Sequence, residues 1–250
     1  MLKRFPKYLL LFLLACCVKN AALAQAVADS LSTKQTTVYA NVERDFYKKI
    51  GPESRLYNGM QYDLYDPHIK GNAYYDDVDS WNKGSVFYDG YLYTNVSMMY
   101  DIYKDAVVIL IYNQFMRISL ISEKVRNFDV LNQHFIYLKN DPANSNSLKT
   151  GFYDELYGGK IQVLSKKTKS IQNSTDYTGN IIPYFSPAKD YYLFKNGKYY
   201  TVNSQGAFLD VLSDHKKEIK QFIRSNNIKF KKAPEQAMTA IAAYYDHLTD

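Results

Sequence analysis

From Ser85 to Val202 the chain alternates apolar and polar residues with a period of two, and tight reversals interrupt the alternation. Tyr91 to Tyr103 sets Leu92, Val96, Met98, Tyr100 and Ile102 on one face, and Tyr93, Asn95, Ser97 and Asp101 on the other. That is the signature of a strand with one side on a core. Asp89-Gly90 and Asn196-Gly197 tolerate the positive φ of a type I′ turn, and Lys104-Asp105 offers a further reversal. Ala106 to Ile111 is apolar at every position and should be buried on both faces. Phe115 to Ile121 alternates again, with Met116, Ile118 and Leu120 inward. Val125 to Val130, Phe135 to Lys139, Phe152 to Tyr157, Ile161 to Lys167, Tyr191 to Lys195 and Lys198 to Val202 continue the pattern. Strands joined by turns this short must be antiparallel. The expected fold is therefore mainly β within the α+β class: a meander of about nine or ten strands that curls, or partly closes as a barrel, to protect its edges.

Helical periodicity frames this region. Val42, Phe46 and Ile50 suggest an N-terminal helix over 38–50, preceded by a polar linker over 25–37. Ser204 and Ser213 are good N-caps for two later helices, the second burying Ile219, Phe222 and Ile223 and exposing Lys216, Lys217, Lys220 and Arg224. Pro234 suits the first turn of a third helix, with Met238, Ile241, Ala242, Tyr245 and Leu248 at helical spacing. The organisation expected is a helix-plus-sheet domain over 38–203 with a helical segment, 204–250, packed on the sheet.

Residues 1–24 read as a signal peptide. Lys3, Arg4 and Lys7 precede an apolar stretch, Tyr8 to Val18, too short to span a bilayer as a helix. Ala22-Leu23-Ala24 supplies the small–x–small pattern that places cleavage between Ala24 and Gln25. Leu13-Leu14-Ala15-Cys16 resembles a lipobox, so lipidation at Cys16 is the alternative, with residues 17–37 as a tether. Removing the leader cuts the net charge from +6 to 27 basic against 25 acidic residues. A near-neutral domain argues against a nucleic-acid partner. Cys16 and Cys17 both lie in the leader, so the mature chain has no disulfide, no thiolate nucleophile and no cysteine zinc site.

Leu56-Tyr57-Asn58-Gly59, Tyr62 and Gly71-Asn72-Ala73-Tyr74 form one recognisable set; Gly84-Ser85-Val86, Tyr88-Asp89-Gly90, Tyr93, Asn95-Val96 and Tyr100-Asp101 form another. With Lys195-Asn196-Gly197-Lys198-Tyr199-Tyr200 and the Lys-rich helix Lys216 to Ile223, they resemble a family of uncharacterised exported proteins of Gram-negative bacteria. The resemblance covers most of residues 40–245. It implies the periplasm, or the periplasmic side of the outer membrane, and carries no catalytic residue with it.

No nucleophile elbow, phosphate loop, zinc-helix motif or dinucleotide fingerprint is present, and no catalytic residue, metal ligand or cofactor is assigned. His68, His134, His215 and His247 are scattered. Asp76, Asp77 and Asp79 form the densest acidic cluster, and Asp77 and Asp79 fit the start of a calcium loop, but Trp81 breaks it and no closing Glu follows, so a solvated turn is expected. Asp154 and Glu155 are adjacent in a strand and point to opposite faces, so they cannot act together as a glycosidase pair. Twenty-five tyrosines recur as doublets, at Tyr74-Tyr75, Tyr191-Tyr192, Tyr199-Tyr200 and Tyr244-Tyr245, and a doublet on a strand sends one ring to each face. The basic run Lys216 to Lys232 reads as a solvated helix face, with a peripheral membrane contact as its other use. The expected function is non-enzymatic: an exported cell-envelope protein whose curved sheet binds a partner protein, a lipid or other apolar ligand, or a glycan. A carboxylate-based secreted hydrolase and a scaffold subunit of an envelope complex are the alternatives.

Overall fold

A computed structural model of the chain describes residues 55–111, 115–140 and 148–249. The leader with Cys16 and the Ala24/Gln25 bond, the linker, and the helix expected over 38–50 lie outside the described residues.

The described chain forms one sheet of 11 strands, every ladder antiparallel, followed by helices. The strands are β1 Gly59–Gln61, β2 Asn82–Tyr88, β3 Tyr91–Asp101, β4 Ala106–Ile111, β5 Met116–Leu120, β6 Val125–Val130, β7 Gln133–Leu138, β8 Gly151–Gly158, β9 Gln162–Thr175, β10 Ile181–Lys195 and β11 Lys198–Thr201. They are followed by α1 Gln205–Val211, α2 Lys216–Ser225 and α3 Pro234–Leu248. The expected fold class holds, and among the described residues no crossover helix interrupts the strands. Ser204 caps α1 by accepting from the Ala207 N–H, and Pro234 occupies the first turn of α3.

The spatial order is β1-β5-β4-β3-β2-β6-β7-β8-β9-β10-β11. Neighbours follow the chain except at two places: β1 pairs with β5 rather than β2, and after β5 the chain returns so that β6 pairs with β2. The short link Ser122–Lys124 makes this jump. Five residue steps from Leu120 to Val125 reach at most about 17 Å. In a flat sheet, four strand spacings would already put β5 about 19 Å from β6. The sheet therefore has to curl so that β5 and β6 approach.

The curled face encloses rings. Tyr75, Tyr100, Phe128, Phe135 and Phe152 meet edge-to-face or stacked, with Phe128 and Phe135 parallel at 4.6 Å. Val86, Met98, Val107, Ile109, Ile118 and Leu120 fill the remainder. Farther along, β9 and β10 present Val163, Tyr191 and Leu193 to the helices, where Phe208, Leu212, Ile219, Met238, Ile241 and Tyr245 complete a second core.

Two inward assignments differ from expectation. Leu92 is exposed, whereas Tyr93 and Val96 both pack on the core. Asn95 has φ 59°, and this left-handed residue shifts the alternation by one midway along β3. Met116 is also exposed, at the start of β5. The loop-rich stretch before Ser85 contains β1, and β2 begins at Asn82. Two tyrosine doublets, Tyr74-Tyr75 and Tyr191-Tyr192, bury both rings, because both sides are covered there.

Candidate functional site

Asp154 sits between the two cores. Its strand neighbours on the same face are Phe152, in the first core, and Leu156, against the second. The residue is only 3% exposed. Tyr75 donates its hydroxyl to Asp154 Oδ2 at 2.9 Å, and Lys167 Nζ donates to that phenol oxygen at 2.8 Å. Asp154 Oδ1 and the Oγ of Ser165, its cross-strand partner, are both buried without a hydrogen-bond partner. Burial raises the Asp154 carboxyl to about 6; the Tyr75 bond and Lys167 pull it back, while Glu235 and Asp76 push it up. Tyr75 is itself displaced upward, by burial first and by Asp154 next.

The lysines of β9 tie the preceding loops to the sheet. Lys169 Nζ donates to the carbonyls of Asn72 and Tyr74 and to Asp77 Oδ1, with only 4% of its side chain exposed. Lys167 pairs with Asp76 at 2.8 Å and lies over the Tyr75 ring. Asp76 and Asp77 both adopt positive φ, which short carboxylates tolerate, and this turns them toward the lysines. Lys166, on the opposite face, donates to Asp105 Oδ2 and to the Phe152 carbonyl. Burial pulls Lys166 below the ordinary lysine range, and Asp105 opposes that shift. Gly151 lies against this pair at φ 146°, where any Cβ would collide with the Asp105 carboxylate. Two of the three clustered aspartates, Asp76 and Asp77, are thus engaged by the protein's own ammonium groups.

A polar row crosses the other face of the sheet. Ser85 Oγ and His134 Nδ1 both bond Asp129, at 2.6 Å each, and His134 Nε2 lies 3.9 Å from Glu155. Burial alone would raise Asp129, but the bonds from Ser85 and His134 outweigh it and hold the carboxyl low. Ser, His and Asp are together, yet hydroxyl and imidazole both bond the carboxylate, which is not the Ser–His–Asp order in which the imidazole takes the hydroxyl proton. His68 meets only Asp66, His215 meets the Tyr245 ring edge-on, and no group of three metal-ligating side chains converges among the described residues. Asp154 is buried on one face and Glu155 lies in the row on the other, as expected.

Two exposed surfaces among the described residues bear on binding. At the free edge, Met60 is 75% and Phe115 85% exposed; Leu64, Phe115 and Met116 line a shallow groove with Gln61, Tyr62, Asp63 and Arg117. Among the described residues no strand pairs with the outer side of β1. Across α2, Lys217, Lys220 and Arg224 line a second groove with Gln221 and Ser225. Strand periodicity could not reveal the first surface, since it depends on Met116 lying at the rim. The second was visible as a basic run.

No family model, curated protein or solved structure matches the chain, so the functional reading rests on its own geometry.

Proposed function

We propose that this is a non-enzymatic, exported cell-envelope protein that binds a protein partner at the β1 edge of its curved sheet. One observation carries the reading: Met60, Leu64, Phe115 and Met116 are exposed beside β1, whose outer side no other strand among the described residues pairs. Apolar side chains grouped at an open edge favour a partner that adds a strand and buries its own apolar residues. The reading embraces the scaffold alternative, since an envelope complex would use such an edge.

An apolar ligand held in the curl has less support, because aromatic rings fill that space. The hydrolase alternative needs acids that substrate can reach, whereas Asp154 is enclosed beneath Tyr75. Export itself rests on the leader pattern of residues 1–24 and on the family resemblance.

The experiment places a photo-crosslinking phenylalanine analogue at Phe115, or at Tyr177 on the exposed β9–β10 turn, in the intact host. A discrete adduct at 115 and none at 177 is the expected result. Identical smears at both positions, or no adduct at either, would remove the proposal. Native mass spectrometry of the purified protein should show the bare chain mass; a retained lipid would restore the carrier version.

A further inference from the structure

From the charge distribution around α2, we infer that its outer face, together with the turn after it, is an adsorption surface for anionic lipid headgroups. Lys217, Lys220 and Arg224 recur at spacings of three and four and so share one side of the helix. The opposite side buries Ile219 and Ile223 in the second core, so the helix cannot roll away. Lys229, Lys231 and Lys232 follow at once in the chain, and all six cations are exposed. None of the six lies within ion-pair distance of a carboxylate among the described residues; Lys216, facing back, is held by Asp210 at 2.6 Å.

The balance of charge makes this face unlike the rest. Residues 216–232 carry seven basic side chains and one acid, Glu218, whereas the remainder of residues 25–250 carries 20 basic against 24 acidic. A slightly acidic body with one cationic face orients itself toward a negative plane. A long flexible polyanion would sweep over the acidic remainder as well, and no row of exposed aromatic rings beside these cations would stack its bases. A lipid surface touches one face only, so the geometry points to the membrane. No helix among the described residues is long and apolar enough to cross a bilayer, so the contact is adsorption rather than insertion.

This inference is independent of the β1-edge reading, and the vesicle assay leaves that edge untouched. The test is co-sedimentation of the protein with phosphatidylcholine vesicles that contain or lack about one-third phosphatidylglycerol. Binding should appear only with phosphatidylglycerol and collapse when salt rises from about 0.05 to 0.5 M, as screening requires. Neutralising three cations with Lys217→Gln, Lys220→Gln and Arg224→Gln should weaken partitioning about 100-fold. The matched set Lys70→Gln, Lys139→Gln and Lys198→Gln should change it less than about threefold. Circular dichroism establishes that both sets fold; were the α2 set unfolded, Lys229→Gln, Lys231→Gln and Lys232→Gln would replace it with the same expectation. No binding to phosphatidylglycerol vesicles, equal loss in the matched set, or tighter binding to duplex DNA at equal charge concentration would each overturn the assignment.

Discussion

Two groups of cations, on β9 and on α2, differ in how completely the protein answers their charge. Lys166, Lys167 and Lys169 each have an aspartate at 2.5–2.8 Å and are largely buried. Lys217, Lys220 and Arg224 are exposed and have no such partner among the described residues. The first group is internal stitching, in which backbone carbonyls and carboxylates replace the water that an ammonium loses on burial. The second group meets no carboxylate among the described residues. Equal charge, read without coordinates, therefore says little about role; the neighbouring acids decide it.

Lys169→Ala probes the contrast most strongly. Removing the ammonium strands the carbonyls of Asn72 and Tyr74, which should cost about 3 kcal/mol. Differential scanning calorimetry should then show Tm lower by roughly 6–12 °C for a domain of this size. An unchanged Tm would mean that the β9 group is as dispensable as that on α2.

Asp154 sharpens the comparison through pH. Its folded carboxyl holds a proton up to about 6, whereas an unfolded one releases it near 3.8. Below both values the two states are equally protonated and there is no penalty. As pH rises from about 4 to 6 the native state must ionise a buried acid, and about 2–3 kcal/mol of stability is lost. Asp154→Asn should remove that loss, so the variant gains on wild type as pH climbs through this window and keeps its advantage at pH 7. Chemical denaturation at pH 4 and pH 7 measures it, and a constant difference between the two proteins would refute the buried-acid account.

The smallest expected effect is on stability at α2. The triple glutamine variant expected to weaken vesicle binding should shift Tm by less than about 3 °C, as exposed charges generally do. Added salt should leave the bonds from the buried Lys169 ammonium to the Asn72 and Tyr74 carbonyls nearly intact, while the exposed Asp77 partner is screened. A fall in Tm comparable to that of Lys169→Ala would show that α2 is stitched in as well.

Much of the sheet was legible. Asp89-Gly90 and Asn196-Gly197 take the positive φ values their composition demands, and Ala106–Ile111 is buried on both faces. The return of β6 to β2 was not legible, because a short link limits how far the next strand can lie but does not name its neighbour. The exposure of Leu92 was hidden for a related reason: a single left-handed residue at Asn95 inverts the period-two reading of the residues before it. Strand character across 168–190 went unread, since Pro183 and Pro187 argue against a strand. They are tolerated because β11 pairs only with Tyr192–Lys195; among the described residues the outer side of β10 there meets an isolated bridge from Lys70, which uses the Pro183 carbonyl and the Phe185 N–H and asks no N–H of a proline. As for the sites, the α2 cations stand out in the sequence, whereas the seam at Asp154 requires two cores to meet over one strand. No local pattern records that meeting.

The span from Leu120 to Val125 behaves like a bowstring. It is shorter than the arch it subtends, so the curl is imposed by connectivity before any ring makes contact. Lengthening the string with a few glycines would hand the whole task of keeping the arch bent to the aromatic interior. The curvature would then become as soft as that packing, and the rigid presentation of both rims would go with it.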